Sequence, residues 1–511
     1  MEEKHLPLIQ EVPSWQRWLD KPQSALMCLS SWILSSAIFV CMVALFGGPS
    51  QADAAESFYA TWAIAHGKLA CAYPPAGPIP ASDYFPFYQH QPGTPPLWPI
   101  LSGAYAALTR IGHTAVFPSQ HVLGAGCSNG NPEMYLWAQR TAAIFPTIGI
   151  GYLSWFVLLA GVVALLRASG RGRTGWEVFG VIFIAVVPMV WEPVLTSYHP
   201  QDLTSLGLAL AGTACALRRK WVWAGILVGL AITSQQFAFL VLLPLFVVAP
   251  GRNRWRLLVS SAAVVLLISL PFVVATSGKA LHAVIFGTGD SPTYGGTIVW
   301  ETGLHGPALV FIARILPLLV SLAIAFWAFR RLGSRVVEPI PLISLLTISL
   351  SLRVVFEEGL FGYKLMAMSV MLVLLAIVQG QIRGRLVAWL ALATLAFEPI
   401  PAGVAINARS WSDHAASALP LLFIAVALVL IAYDALHRRV RWYVIAWFVI
   451  AACAFLQWPL WSLDSLRAPY PHWFWQLILL STGIAMAVSS LVRSVRSAEP
   501  HQPVNAGVLA E

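Results

Sequence analysis

Apolar residues recur along this chain in long runs separated by short polar turns or small arginine clusters. A helix needs about 20 mainly apolar residues to cross a hydrocarbon layer, and run length alone places about fourteen such spans. They fall at residues 26–46, 140–167, 175–192, 199–217, 221–234, 236–250, 256–275, 306–329, 338–353, 362–380, 385–404, 417–436, 442–461 and 473–493. The fifth and sixth are short and meet at Thr233, Ser234, Gln235 and Gln236, which predicts a tight hairpin stopping short of the far surface. Residues 47–139 form the longest polar insertion. Within it, "PPLWPILSGAYAALTRIG" opens on two prolines and is too short to span, so it is expected to lie in the interface. The pattern predicts an all-α, polytopic transmembrane bundle. One domain covers 26–496, after a cytoplasmic or interfacial segment 1–25 and before a disordered cytoplasmic tail 497–511. There is no internal repeat and no separate soluble domain, and the polar, acidic N-terminus is unlike a cleaved signal peptide.

Composition agrees. Of 511 residues, 58% are hydrophobic and only 10% charged, with a mean hydropathy of +0.72; a soluble domain carries about 25% charged residues. The net charge of +9 does not point to nucleic acid, because the arginines form no stripe or tail. They cluster after even-numbered spans: Arg167, Arg171 and Arg173; Arg218, Arg219 and Lys220; Arg252, Arg254 and Arg256; Arg330, Arg331 and Arg335; Arg383 and Arg385; Arg438, Arg439 and Arg441; Arg493 and Arg496. The positive-inside rule then predicts a multi-pass plasma-membrane protein with both termini cytoplasmic. On that topology Asp53, Glu56, Asp83, Glu133, Glu192, Asp202, Asp290, Glu301, Glu357, Glu358, Asp413 and Asp464 all fall at the outer face. Cys71 and Cys127 share the long first loop, where an oxidising compartment favours a disulfide over two free thiols. No CxxC or Cys/His metal spacing is present, so no metal site is predicted.

Candidate chemistry therefore gathers on one side. If residues 53–66 are helical, Asp53 and Glu56 share a face with Ala60 and Ala63, while Phe58 and Trp62 seat the helix among headgroups. The same acids also suit the N-terminal dipole of a helix. In "YHPQD", Pro200 and Asp202 fit a first helical turn, and His199 is either structural or a ligand for a hydroxyl or phosphate. Gln235 and Gln236 either hydrogen-bond a sugar or cap two helix ends. In "RVVFEEGLFGYK", Arg353 and Lys364 either pair with Glu357 and Glu358 or bracket a lipid-linked phosphate, for which the planar arginine fork is suited. Arg409 has the same two readings. The Gly-rich "GDSPTYGGTIVWETG", which carries Glu301, is not a strand-to-helix phosphate loop.

Asp53 with "SFYATWAIAHGKLACAYPP", then "PPLWPILSG", "SYHPQDLTSLGLALAG", "AGILVGLAITSQQFAFLVLLP" and "EEGLFGYK", resembles the GT-C membrane glycosyltransferases. The likeness is to bacterial mannosyltransferases that use polyprenol-phosphate-mannose. It covers the N-terminal half and beyond about residue 370 is hydrophobic only. The chain lacks the "WWDYG" signature and large C-terminal domain of oligosaccharyltransferases. The resemblance implies an inverting transferase that moves a sugar from a polyprenyl-phosphate donor to a cell-envelope glycolipid or glycan. Asp53 would be the general base, with Glu56 as a second acid. His199, Asp202, Gln235, Gln236, Glu301, Arg353, Glu357, Lys364 and Arg409 would bind substrate, and no cofactor beyond the lipid donor is implied. Two other classes stand beside it: a flippase for a lipid-linked sugar, which calls for ionisable residues or broken helices at mid-membrane, and a non-catalytic partner of an envelope-polymer assembly complex.

Overall fold

Proline and glycine decide where the apolar runs start and stop. The computed structural model describes residues 14–46, 64, 67–73, 95–111, 144–195, 199–286, 299, 302, 304, 306–357, 362–382, 386–387, 389–390, 393 and 472–498. Every regular element among them is helical. A short helix α1 (Ser14–Leu19) precedes α2 (Ala25–Phe46). The long first loop contributes a 3₁₀ turn, Leu69–Cys71, and α3 (Leu97–Ile111). Then come α4 (Ile144–Ala168), α5 (Gly175–Val186), α6 (Pro188–Leu195), α7 (Pro200–Leu217) and α8 (Trp221–Ser234). A 3₁₀ turn, Gln236–Ala238, leads into α9 (Phe239–Val248), followed by α10 (Asn253–Ala275) and α11 (Lys279–Phe286). Helix α12 (Gly306–Val310) passes through a π turn, Phe311–Ile315, into α13 (Leu316–Leu332). The described chain ends with α14 (Pro339–Val355), a 3₁₀ turn Gly362–Leu365, α15 (Met366–Val378) and α16 (His472–Arg496).

These helices occupy the first, second, fourth to tenth and fourteenth apolar runs, with ends shifted by a few residues. The eleventh run is described only at scattered helical positions, and the twelfth and thirteenth lie outside the described residues. The third run departs from the expected single span. Pro188 lacks a backbone donor and disfavours helix at the residue before it, so Val187 is extended and the run divides into α5 and α6. Glycine closes other helices. Gly170, at φ +80°, turns the chain so that the Arg171 N–H returns to the Leu166 carbonyl at 2.9 Å, ending α4.

Among the described residues, three stretches are long and apolar enough to cross a membrane: Gly149–Ala168, Asn253–Ala275 and Ala308–Val337, the last running through the π turn. Helices α7, α14 and α15 are buried along most of their length. Helices α10 and α13 lie at the periphery and expose Leu266, Leu267, Leu270, Leu319 and Phe326, the apolar exterior a lipid-facing helix requires. Close helix pairs rest on small residues. A Cβ on Gly161 of α4 would strike the Gly207 backbone of α7, and Gly225 and Gly229 of α8 lie against the Leu257 and Ser261 backbone of α10. Helix α3 packs on α4 and α8, with Trp98 and Ser102 buried.

Charge separates to the two ends. At the arginine-rich end, buried Glu177 receives Arg167 Nη2 at 2.7 Å and Nε at 3.0 Å, and the Arg173 backbone N–H at 2.7 Å. Arg171 pairs with Asp20 at 2.8 Å. At the opposite end the N-terminus of α7, the α8–α9 turn and the C-terminus of α14 converge.

Candidate functional site

Helix α7 starts where Pro200, suited to the first helical position, follows His199. This places Asp202 in the first turn, where the helix dipole favours a negative charge. The Asp202 side chain is fully buried. Its Oδ1 accepts from Arg353 Nη1 at 3.4 Å, and its Oδ2 has no hydrogen-bond partner among the described residues. Arg353 comes from the last turn of α14 and lies over the Phe237 ring, 4.7 Å from its centroid. Its Nε is 3.4 Å from Glu357 Oε2, and Lys364 Nζ is 2.9 Å from Glu357 Oε1.

These distances rank the contacts. Charge-assisted N–H···O bonds run about 2.7–2.9 Å, so Lys364–Glu357 is tight and both Arg353 contacts are loose. Burial pushes the Glu357 carboxyl up. Lys364, Arg353 and Arg314, together with the Lys364 hydrogen bond, outweigh it and hold the group at about 2.

The α8–α9 turn supplies the other wall. Gln236 Oε1 accepts from Arg314 Nη1 at 3.1 Å, while its Nε2 donates to the Val284 carbonyl on α11. The Gln235 side chain accepts from the Gln236 backbone N–H at 3.1 Å. Ser234 Oγ donates to the Gln201 carbonyl at 3.1 Å and Ser205 Oγ to the Ala231 carbonyl at 2.9 Å, tying α8 to α7. The Gln201 side-chain amide hydrogen-bonds His199 Nδ1 at 3.1 Å. Gln201 Oε1 is a second buried acceptor with no partner among the described residues.

Seven residues singled out from the sequence thus line one end of the bundle: His199, Asp202, Gln235, Gln236, Arg353, Glu357 and Lys364. Of the two readings of Arg353 and Lys364, ion pairing with Glu357 is what the geometry contains. Glu358 lies outside the described residues, as do Asp53, Glu56, Glu301, Arg409 and Cys127; Cys71 falls in the 3₁₀ turn Leu69–Cys71. The Cys71–Cys127 bridge therefore also lies outside the described residues. Sequence reasoning did not select Gln201, Phe237 or Arg314 as site residues. Arg314 had a signal, as a cation inside "FIARILPLLV"; the other two had none.

Chemically, three cations meet two carboxylates here, beside two buried acceptor oxygens. Such a set can hold an anion and accept hydrogen bonds from hydroxyls. No three His, Cys, Asp or Glu side chains come together among the described residues. No protein-family model matches this chain, and no curated protein matches it.

Proposed function

We propose that this protein is an inverting glycosyltransferase of the GT-C type, embedded in the plasma membrane with its site at the extracytoplasmic face and both termini cytoplasmic. The observation that carries this reading is the convergence of Arg314, Arg353 and Lys364 with Asp202 and Glu357 at the arginine-poor end of an apolar helical bundle. A polyprenyl-phosphate sugar would approach sideways from the lipid, its phosphate held among these cations, with Arg409 a further candidate from the sequence. His199, Gln201, Gln235, Gln236 and Glu301 would meet the sugar hydroxyls.

In the transfer, an acceptor hydroxyl attacks the anomeric carbon and a new C–O bond forms. The anomeric C–O bond to phosphate breaks, and the polyprenyl phosphate leaves with the electron pair. The hydroxyl proton passes to a carboxylate, assigned by the resemblance to Asp53, with Glu56 beside it; a positioned base contributes about 10²–10⁴-fold. Incubating the detergent-purified protein with a panel of polyprenyl-phosphate sugars, and weighing the products by mass spectrometry, tests this. Transfer that survives Asp53→Asn but not Glu56→Gln reassigns the base, and no transfer from any donor sinks the reading.

A flippase for the same lipid is the second reading, favoured by one observation: Arg314 sits on a π turn within the Ala308–Val337 stretch. Six residues in from Ala308, at 1.5 Å each, put Arg314 only about 9 Å from that end. Asp202 and Arg353 are likewise within a turn of their helix ends, whereas a carrier needs polar chemistry near mid-depth. Turnover in detergent, with no membrane to cross, separates the two.

A further inference from the structure

A cavity lies at the arginine-rich end, away from the site above. It has a volume of about 470 Å³ and opens between the C-terminus of α13, the N-terminus of α14 and the C-terminal turns of α15 and α16. Its floor is polar. Ser490 is buried and receives hydrogen bonds from Ser344 Oγ at 2.9 Å and Gln379 Nε2 at 2.6 Å. Its rim carries two exposed arginines. Arg335 makes a 3.2 Å pair with Glu338, three residues on, and both side chains are about half exposed. An exposed pair of this kind contributes little and is readily exchanged for a better partner. Arg493 donates only its Nε, to the Ser489 carbonyl of its own helix at 3.1 Å. Its two terminal nitrogens make no hydrogen bond among the described residues.

Cavities of about 300–1,000 Å³ are the size of small-molecule sites. This one combines two guanidiniums and one carboxylate, Glu338, at the mouth with amide and hydroxyl groups below, so its net positive charge calls for an anion and its floor for a hydroxylated neighbour. It also opens where apolar helices end, and basic pockets between spanning helices suit anionic headgroups.

We propose that this cavity binds a phosphate ester of a small polyol, with Arg493 and Arg335 on the phosphate and Gln379, Ser490 and Ser494 reaching the polyol hydroxyls. The ester can belong to a phospholipid headgroup or to a soluble metabolite, and the two sources share this chemistry. The inference does not depend on the transferase reading, since the cavity lies at the other end of the bundle.

The test uses the full chain in detergent and in nanodiscs. Native mass spectrometry counts bound lipid from discs of phosphatidylglycerol and of phosphatidylcholine, and calorimetry titrates glycerol phosphate and inorganic phosphate. Phosphatidylglycerol retained in preference to phosphatidylcholine identifies a headgroup. Saturable glycerol phosphate binding without lipid tails identifies a soluble ester. In either case Arg493→Ala combined with Arg335→Ala should weaken binding about tenfold or more, since each removes charge-assisted hydrogen bonds. Both positions are exposed, and an unchanged unfolding midpoint confirms that the variant folds. Equal retention of the two lipids with no soluble binding overturns the proposal, as does binding untouched by the double substitution.

Discussion

Replacing Arg353 with Met removes the contact that joins α14 to α7, together with the 3.4 Å contact to Glu357. Methionine keeps most of the stem volume but removes the guanidinium, leaving Asp202 fully buried with neither oxygen bonded among the described residues. Stripping one partner from a buried ion pair costs about 3–5 kcal/mol when the pair is dry and tight. Here the Arg353–Asp202 separation is 3.4 Å and the arginine side chain is 16% exposed, which lowers the expected loss to about 2–3 kcal/mol. The stacking of Arg353 over Phe237 adds about 0.5–1 kcal/mol at such a partly exposed place. Adding Asp202→Asn separates these contributions. An amide is far less costly to bury than an unpaired carboxylate, so Arg353→Met with Asp202→Asn should be more stable than Arg353→Met alone. The assay is the unfolding midpoint in mixed detergent for wild type, both single variants and the double. A coupling of about 1 kcal/mol or more is expected. Single effects that add to within about 0.5 kcal/mol would refute the claim that these two side chains share one buried interaction.

Three further outcomes follow from the same contacts. Glu357, beyond the end of α14, is held at about 2 against an ordinary value of 4.5; a lowered carboxyl stabilises above its unfolded value and loses that as pH falls through the folded one. The margin of wild type over Glu357→Gln should therefore be flat above about pH 5, on the order of 3 kcal/mol at most, and vanish between pH 4.5 and 2 in pH-resolved unfolding. Gly161→Ala puts a methyl into the Gly207 backbone, and should cost about 1–3 kcal/mol in unfolding midpoint and lower the yield of monodisperse protein. Arg314→Gln removes the donor to Gln236; on the transferase reading it should raise the KM for the lipid donor about tenfold or more while a soluble acceptor's KM changes little, measured by initial rates.

The apolar period carries the helices because burial in a hydrocarbon layer leaves one variable, run length, to be read. The places where it misleads are local: Pro188 breaks a run whose hydropathy is continuous across it. The site is less legible because its pairs are distant in sequence. Arg353 was visible beside Glu357 four residues away, but its contact with Asp202 spans 151 positions and its stacking on Phe237 joins two separate helices. One part of the site was readable, and it accounts for the rest. Helix α8 has 14 residues, about 21 Å at 1.5 Å per residue, and α9 has 10, about 15 Å. Both fall short of a hydrocarbon layer about 30 Å thick. Such a pair makes a short hairpin whose turn, Gln235 to Ala238, comes at the same end of the bundle as Asp202 and Arg353. That turn sets Gln236 against Arg314 and Phe237 under Arg353. Partly burying Arg353 and Arg314 is costly without partners; Asp202, Gln236 and the Phe237 face supply them. The hairpin turn and the charged cluster are thus one feature. Lengthening α8 and α9 by a turn each would move Gln236 and Phe237 away from Arg314 and Arg353 and cost both arginines those partners.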